Sequence, residues 1–407
     1  MALSAHVESL PRILWPDDRP KAAYDVVIVG GGGHGLSTAW HLATRHGITN
    51  VAVLEGDYLA SGNTGRNTTI IRSNYALPEA VRFYDRSLRL YERFQDDVGA
   101  DIVHRTKGHI WLAHTELALR TERSRSLMNL AMGVETVMVT PAEVKELVPQ
   151  IDLTGGGRYP TLGASFHKPA ATARHDRVAW AYAAGASQAG VEIHQQTPVQ
   201  AVLTEGGRAT GVRLADGSTI AAGQVVSATG GRVTALAATA GVRLPIRTHP
   251  LHAFVTNDFA QGFPRVLAST ELACYVSQTE RGQLLIGAEF DAQPSYSRIS
   301  SFDALRSYAT KIGYLLPFTR DLRILRTWAG SCDISVDFSP IVGRTGVDGF
   351  LITTGWGTWG FKAIPAGGEA LAEVIATGRT PELIAPFGLD RFRRDHLMAD
   401  QASAGTR

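Results

Sequence analysis

The glycine-rich stretch near the N-terminus constrains the fold more than any other part of the chain. Residues 24–40 read YDVVIVGGGGHGLSTAW, and the β-branched apolar run before the glycines is typical of a strand buried on both faces. A helix is predicted after the glycines, ending near Gly47, and residues 50–55 (NVAVLE) read as a second buried strand. The order strand, turn, helix, strand predicts one βαβ unit with parallel strands.

The turn inside this unit has a spacing suited to a dinucleotide. Gly30, Gly32 and Gly35 satisfy the pattern G-x-G-x-x-G, and Glu55 closes the second strand twenty residues after Gly35. Glycines let the backbone approach a pyrophosphate, the helix N-terminus favours the anion, and the acid can accept hydrogen bonds from ribose hydroxyls. The predicted cofactor-binding residues of this unit are Gly30, Gly32, Gly33, His34, Gly35 and Glu55.

A later strand favours FAD over NAD as the dinucleotide. Residues 224–231 (QVVSATGG) read as a buried strand that returns about two hundred residues downstream. Flavoproteins often interrupt the nucleotide domain with the substrate domain and return to it, whereas NAD enzymes usually keep that domain continuous. Val199, in TPVQAV, stands where such flavoproteins set a backbone group against the adenine.

Composition excludes several classes of function. The 407 residues are 44% hydrophobic and 19% charged, which is ordinary for a globular protein and enough for two domains. A formal net charge of +2 provides no strong field for nucleic acid or an anionic membrane. Two cysteines cannot build a disulfide framework, and residues 1–21 lack the apolar core of a secretory signal. We therefore expect a cytoplasmic protein with no nucleic-acid or membrane partner. No Cys/His cluster has the spacing of metal ligands, so no metal site is expected.

The coarse alternation of helical and strand patterns predicts a mixed α/β fold. In it, a Rossmann-type FAD-binding domain is interleaved with an antiparallel-sheet substrate domain. The predicted segments are an N-terminal arm at 1–23, an FAD-binding domain at 24–105, 166–250 and 336–390, a substrate domain at 106–165 and 251–335, and a C-terminal tail at 391–407. The tail is expected to fray from Met398 onward.

Five stretches, in order along nearly the whole chain, resemble the β subunits of heterotetrameric sarcosine oxidases. That family belongs to the glycine oxidase and D-amino-acid oxidase superfamily of FAD-dependent oxidoreductases. The five stretches are the glycine stretch at 24–40, GNTGRNTTIIRSNY at 62–75, ARHDRVAWAYA at 173–183, RTWAGSCDISVDFSPIVG at 326–343 and GWGTWGFKAIPAGG at 355–368. The resemblance is far more specific than the glycine pattern alone.

The resemblance implies an enzyme that oxidises the small amino acid sarcosine at FAD. It implies a second flavin, a covalently held FMN, from which electrons reach oxygen and give hydrogen peroxide. The implied products are glycine with 5,10-methylenetetrahydrofolate, or with formaldehyde when folate is absent. The implied partners are a large α subunit that binds folate and NAD, and small γ and δ subunits.

The resemblance also assigns roles to residues of the proposed oxidation site. Arg72 and Lys362 match the two cations that hold the substrate carboxylate in related sarcosine oxidases. Taken alone, Arg72 could be a surface ion pair and Lys362 a solvated lysine at a helix start with Pro365 in the first turn. The residues implied beside the flavin are Asn63, Arg66, Thr68, Ile70, Gly357, Gly360 and Lys362.

His175 matches the histidine that holds FMN at the contact with the α subunit. Arg177 stands where the family often has a second histidine. The alternative interpretation is a structural histidine with satisfied hydrogen bonds, in which Asp176 fixes the imidazole ring or simply begins the helix. Trp180, on the same predicted helix, is expected in the core.

The attachment of FAD is expected to be noncovalent. Single-chain relatives attach FAD through a cysteine, and Gly330 stands at that position here, with Cys332 offset by two residues. Those relatives also use a lysine near the flavin to activate oxygen, and Leu285 stands in its place. The absence of that cation fits an enzyme in which oxygen is reduced at a second flavin.

Two other functions remain open at this point. The chain could be a single-flavin dehydrogenase or oxidase for another imino acid, such as proline, an opine or dimethylglycine. It would then be active without partner subunits and would hold no FMN. It could also be a non-catalytic flavin scaffold, in which replacement of Arg72 or Lys362 would leave the assembled complex as active as before.

Overall fold

The computed structural model describes residues 19–400 of the chain. Residues 1–18 of the predicted N-terminal arm and residues 401–407 of the predicted tail lie outside the described part. Within residues 19–400, no helix combines the length and the apolar character needed to cross a bilayer. Strands are numbered β1–β19 and helices α1–α9 in chain order.

The first large sheet contains the predicted βαβ unit. Its strands are β1 (Ala23–Val29), β2 (Val51–Leu54), β9 (Glu192–His194), β10 (Val199–Glu205), β11 (Arg208–Leu214), β12 (Thr219–Ser227), β18 (Ile341–Arg344) and β19 (Phe350–Thr354). Strand β1 is the centre of a parallel set, because Val27 pairs with Ala52 of β2 and with Val225 of β12. Strand β19 continues the set on the other side of β12. The carboxyl ends of these four strands therefore meet at one edge of the sheet.

The second large sheet has the order β17-β13-β16-β15-β14-β5-β7-β6. Its strands are β5 (His109–Ala113), β6 (Thr136–Val139), β7 (Gly163–His167), β13 (Ile246–Asp258), β14 (Val266–Ser269), β15 (Cys274–Gln278), β16 (Gln283–Phe290) and β17 (Ile324–Ser335). All its pairs are antiparallel except that of β5 with β14. A small third sheet joins β3 (Ile70–Ile71), β8 (Ala171–Thr172) and β4 (Arg105–Thr106).

The helices cover the sheets. They are α1 (Gly33–His46), α2 (Pro78–Glu92), α3 (Phe94–Val98), α4 (Glu116–Ala131), α5 (Pro141–Leu147), α6 (His175–Gln188), α7 (Val233–Thr239), α8 (Phe302–Leu315) and α9 (Gly360–Thr377). Helix α9 packs closely on α1, where a Cβ atom added to Gly368 would lie 2.1 Å from the Ser37 hydroxyl oxygen. The expectation that Pro365 lies in the first turn is wrong, because α9 begins at Gly360 and Pro365 lies inside it.

This architecture confirms the predicted mixed α/β class. The first sheet, in which β10–β11, β11–β12 and β18–β19 pair antiparallel beside the parallel set, draws its strands from residues 23–54, 192–227 and 341–354. The second, mainly antiparallel sheet draws its strands from 109–167 and 246–335. The chain thus enters the first sheet, leaves it, returns to it and leaves it again before the last return. The exact domain boundaries given above stay a prediction.

The expectation of a frayed C-terminal segment from Met398 is wrong for the described residues. Met398 and Asp400 are buried. The backbone N–H of Met398 donates to Asp337 at 3.0 Å, and Arg391 forms a buried ion pair with the same carboxylate at 2.8 Å. Because Asp337 follows β17, the segment is tied to the end of the second sheet.

Asp400 ties the same segment to the start of α2. One of its carboxylate oxygens accepts hydrogen bonds from the N–H groups of Ala76 at 2.9 Å and Leu77 at 2.8 Å. Leu77 is the N-cap residue of α2 and has no capping side chain of its own. Asp400 therefore supplies, from the far end of the chain, acceptors for N–H groups at the start of this helix.

We expect Asp400→Ala to lower the free energy of unfolding by ~2 kcal/mol, since it removes a buried cap. Chemical denaturation of the wild type and the variant measures the difference. The control is Asp303→Ala, whose exposed carboxylate lies 3.6 Å from Arg306 and should contribute little. Equal effects of the two substitutions would contradict the capping role.

Candidate active site

A cavity of about 620 Å³ lies between the two large sheets. It begins at the carboxyl ends of β1, β2 and β12 and reaches β5, β15 and β17 of the second sheet. The predicted site residues that line it are Gly30, Gly32, Gly33, His34, Glu55, Asn63, Arg66, Thr68, Ile70, Arg72, Val199, Gly357, Gly360 and Lys362. Two predicted residues, Gly35 and His175, do not line it.

The glycine turn forms the first end of the cavity. Gly30 has a φ of 112°, and a Cβ atom there would lie 2.5 Å from the carbonyl oxygen of Ala228. A Cβ atom at Gly35 would lie 2.1 Å from the carbonyl oxygen of Gly30, so Gly35 supports the turn from behind. Helix α1 begins at Gly33, and its N-cap, Gly32, provides no capping side chain. The Gly33 N–H donates to the Thr64 hydroxyl at 3.0 Å, so the helix start presents its positive dipole end and the N–H groups after Gly33 to the cavity.

Glu55 lies directly opposite this turn. Its carboxylate accepts hydrogen bonds from the N–H groups of Gly31 at 2.7 Å and Asp57 at 3.0 Å. The Ser61 hydroxyl also donates to it, at 3.5 Å. A carboxylate has about four acceptor positions, so these three bonds leave further capacity toward the cavity. The residue thus holds the glycine turn as well as lining the site, a role that the sequence did not predict.

The segment from Gly62 to Ile71 crosses from the first sheet to the second along the cavity wall. Asn63 donates to the carbonyl oxygen of Ser331 at 2.7 Å, and the indole N–H of Trp328 donates to the carbonyl oxygen of Arg66 at 2.8 Å. The Thr68 hydroxyl donates to the Tyr275 hydroxyl at 2.9 Å. These bonds attach the segment to β15 and β17, so its residues keep one conformation along the cavity.

Arg72 and Lys362 lie together at the other end of the cavity. Both are buried, at 6% and 7% exposure, which excludes the surface ion pair and the solvated lysine considered above. Arg72 donates to the backbone and side-chain oxygens of Asn74 at 3.0 and 3.1 Å, and Lys362 donates to the carbonyl oxygen of Thr358 at 3.1 Å. Burial, together with the Arg72 cation, holds the pKa of Lys362 well below its usual range. The pair forms a buried cationic end suited to an anion.

His34 connects the two ends. Its ring stacks on Trp356 at a centroid distance of 4.2 Å, and Nε2 lies 2.9 Å from the carbonyl oxygen of Gly360. Burial lowers the pKa of His34 to about 3, so the ring is neutral and Nε2–H donates to that oxygen. His34 therefore joins the glycine turn to the first residue of α9, two residues before Lys362.

The amino-acid sequence matches the family described as FAD dependent oxidoreductase over residues 25–374. The chain belongs to this family. It is 42% identical over 394 residues to a sarcosine oxidase subunit beta from Arthrobacter sp, with 97% of each chain covered. It is 40% identical to the sarcosine oxidase subunit beta of Rhodobacter capsulatus, covering 96% of this chain and 94% of the relative.

Two solved structures show how this FAD-dependent oxidoreductase compares in fold. The L-proline dehydrogenase from P. horikoshii superimposes with a TM-score of 0.87 at 28% identity, covering 93% of this chain and all of the other. The glycine oxidase from Geobacillus kaustophilus superimposes with a TM-score of 0.82 at 23% identity, covering 91% and 99% of the two chains. The predicted relationship to sarcosine oxidase β subunits is therefore confirmed by the two relatives, and the glycine oxidase shares the fold.

Two cavity residues of this FAD-dependent oxidoreductase were not predicted from its sequence. His109 and Trp111 lie on the same face of β5, and both line the cationic end of the cavity. Burial and the Arg72 cation hold the pKa of His109 well below its usual range, so the ring is neutral, and its Nδ1 has no hydrogen-bond partner among residues 19–400. In GHIWLAH, residues 108–114, the alternation of side chains along a strand predicts that His109 and Trp111 share one face. It does not show which face of the strand meets a cavity.

His175 of the FAD-dependent oxidoreductase is the first residue of α6 and is partly buried. Its Nδ1 is buried and has no hydrogen-bond partner in the described part of the chain. Asp176 pairs with Arg174 at 2.5 Å, and Arg177 donates to the carbonyl oxygen of Asp101 at 3.0 Å. The expectation that Trp180 lies in the core is wrong, since its side chain is 53% exposed.

Proposed function

We propose that this chain is the FAD-binding β subunit of a sarcosine oxidase and oxidises sarcosine in the cavity described above. The observation that carries the proposal is the burial of two cations, Arg72 and Lys362, in the same cavity as the glycine turn. A small zwitterion with one carboxylate matches that cationic end. The two relatives named sarcosine oxidase subunit beta support the choice of substrate.

The residues of the nucleotide end fit FAD. The backbone at Gly30 leaves no room for a side chain, and the start of α1 presents N–H groups that suit a pyrophosphate. Glu55 has remaining acceptor capacity for ribose hydroxyls. We propose noncovalent binding, since Gly330 lines the cavity without a reactive atom and burial raises the pKa of the Cys332 thiol above its usual range.

Arg72 and Lys362 orient the substrate for oxidation. Arg72 presents a planar fork of donors, which suits a carboxylate better than a point charge does, and Lys362 adds a second positive charge. Both act in a buried site, where charge interactions are stronger than in water. Bound FAD supplies the two-electron acceptor for the hydride that leaves the substrate. The neutral ring of His109, beside these cations, adds a polar group without adding charge.

The test of the oxidation is anaerobic bleaching of the flavin absorbance by sarcosine, glycine and L-proline in the purified holoenzyme. Reduction by sarcosine, faster than by the other two, supports the proposal. Faster reduction by L-proline would instead support a single-flavin imino-acid dehydrogenase, which the fold match with L-proline dehydrogenase at 28% identity makes the second candidate. No reduction by any amine would favour the flavin scaffold.

We further propose that His175 carries FMN covalently at a contact with an α subunit. Two observations support this: the ring Nδ1 has no partner among the described residues, and Trp180 on the same helix is exposed. Exposed tryptophan is uncommon on a surface that meets only water and is enriched at interfaces. The proposed complex contains α, γ and δ subunits, reduces oxygen to hydrogen peroxide, and forms glycine with 5,10-methylenetetrahydrofolate or formaldehyde. The relatives' designation as subunit beta supports a multisubunit complex.

A cytoplasmic location is part of the proposal. Cys274 and Cys332 are both buried and unbridged, which suits a reducing compartment. Alkylation of the purified native and unfolded protein tests this: both thiols should react only after unfolding. A disulfide recovered from the native protein would contradict it.

The affinity for the substrate carboxylate should fall with rising pH earlier than an ordinary lysine allows. Lys362 binds the carboxylate only when protonated, and its pKa is held well below the usual 10.5 by burial and by Arg72. Affinity is therefore full below the pKa of Lys362 and is lost as pH rises through it. Titration of the holoenzyme with methoxyacetate, followed by the flavin spectrum over a pH series, measures this. In Lys362→Arg the loss should move to higher pH, and an unchanged profile would contradict the assignment.

A further inference from the structure

Two arginines lie over one tryptophan ring at the cationic end of the cavity. Trp111 is buried on β5, and the guanidinium carbons of Arg72 and Arg125 lie 4.8 and 4.6 Å from its ring. Arg72 also lies 4.3 Å from the ring of Tyr75. A cation over an aromatic face is attracted by the negative face of the ring. We refer to Arg72, Trp111, Glu122 and Arg125 as the Trp111 cluster.

Arg125 differs from Arg72 in its surroundings. It comes from α4, it does not line the cavity, and it forms a buried ion pair with Glu122 of the same helix. Arg125 also donates to the Ser165 hydroxyl at 3.2 Å, and that hydroxyl donates to Glu122 at 2.5 Å. The charge of Arg125 is thus compensated inside the protein, so it is not a second binding group for an anion in the cavity.

The orientation of Arg72 depends on this arrangement. Two hydrogen bonds to Asn74 hold one guanidinium nitrogen, and the rings of Tyr75 and Trp111 limit the tilt of the guanidinium plane. Two like charges near one ring repel each other at low dielectric. Glu122 offsets this repulsion by neutralising Arg125, which lets Arg72 remain against Trp111 where it lines the cavity.

We propose that Trp111, backed by the Glu122–Arg125 pair, is a positioning residue that sets the angle of Arg72 and thereby the affinity for the substrate carboxylate. The inference rests on the proposed oxidation of an amino acid in this cavity. It adds that the affinity for the substrate carboxylate is set by groups that do not themselves bind that carboxylate. The chemical class of ligand is a small carboxylate with a compact amine substituent.

The first test replaces the ring while keeping the core filled. Trp111→Phe keeps a smaller aromatic face, and Trp111→Leu removes it. In the holoenzyme with sarcosine, we expect KM to rise about fivefold in Trp111→Phe and about twentyfold in Trp111→Leu, with kcat within about twofold of wild type. The dissociation constant of methoxyacetate should rise by the same factors as KM. If Trp111 had a merely structural role, its replacement would instead lower kcat and the flavin content of the purified protein together.

The matched control is Trp40→Phe. Trp40 is also a buried tryptophan with an arginine, Arg45, over its ring at 5.7 Å, but it lies on α1 outside the cavity lining. Equal effects of Trp40→Phe and Trp111→Phe on methoxyacetate binding would overturn the proposal. An unchanged dissociation constant of methoxyacetate in Trp111→Phe would also overturn it. This variant remains informative even if Trp111→Leu fails to fold.

The second test removes the charges behind the ring as a pair. Glu122→Gln combined with Arg125→Met removes the repulsion and its compensation together, but it also removes the guanidinium that packs on the Trp111 ring. Because that ring then orients Arg72 less firmly, we expect KM to rise about threefold. Adding Trp111→Phe to this pair should raise KM by less than the product of the separate factors, because both changes act through Arg72. Fully independent effects would overturn the role of the pair. If wild type binds methoxyacetate but sarcosine does not reduce its flavin, the proposed function fails while the binding comparison still tests this inference.

Discussion

Arg72→Ala should lower kcat/KM for sarcosine by about a hundredfold or more, equivalent to ~3 kcal/mol of lost binding in the transition state. The substitution removes the fork of donors at the cationic end, and of the two buried cations that we place there only Lys362 remains. Because the site is buried, water cannot fully replace the lost bonds. Steady-state kinetics and anaerobic flavin reduction measure the change, and the flavin content of the purified protein shows that the cofactor is retained.

Two further variants allow that result to be interpreted. Arg72→Lys keeps the charge but not the planar fork, so it should lie between wild type and Arg72→Ala. Arg86→Ala is the control, since Arg86 pairs with Glu369 at 2.5 Å on an outer face of α2 and should leave kcat/KM within about twofold. If Arg72→Ala oxidised sarcosine as well as wild type does, the cavity would not be the oxidation site and the scaffold interpretation would stand.

His175→Ala should abolish covalent flavin altogether. When the chain is expressed with its partner subunits, the wild-type band on a denaturing gel should fluoresce under ultraviolet light after acid fixation. The variant band should be dark, because no other residue of this chain is proposed to bond a flavin. FAD should still be released into the supernatant in both cases, since its site lies in the cavity that His175 does not line.

His114→Ala is the matched control for that experiment. Like His175, His114 has a buried ring nitrogen without a hydrogen-bond partner among residues 19–400, but it directly follows β5. Its variant should keep the fluorescent band. A fluorescent band that survives in His175→Ala would move the attachment to another residue. A dark wild-type band would remove the second flavin from the proposed function and favour the single-flavin dehydrogenase.

The parts of the site that could be predicted from sequence are those built by neighbours in the chain. Gly30 and Gly35 have the conformations and close approaches that their spacing indicates, because a strand, a tight turn and a helix leave few backbone choices. The placement of Glu55 at the end of β2 follows from the same local order. Arg72 and Lys362 were predicted by the family resemblance, since their local patterns by themselves favoured exposed positions.

The parts that were missed depend on partners far away in sequence. Asp400 is buried because it meets the start of α2, more than three hundred residues earlier. Trp180 is exposed although its neighbours Ala179 and Ala181 are buried, since only the packing of α6 decides which side of the helix is covered. His109 and Trp111 meet the cavity because of the register of β5 with β7 and β14.

The βαβ unit, the dinucleotide turn, the mixed α/β class and the family can all be predicted from the order of the amino acids. Those properties are encoded in the period of apolar residues, in glycine spacing and in motifs that keep their order along the chain. Three features follow from the packing of distant segments: Arg72 and Lys362 share one buried cavity, Trp111 lies against Arg72, and Asp400 caps α2. Burial and charge compensation depend on which distant segments pack together, and the local sequence pattern does not specify that packing.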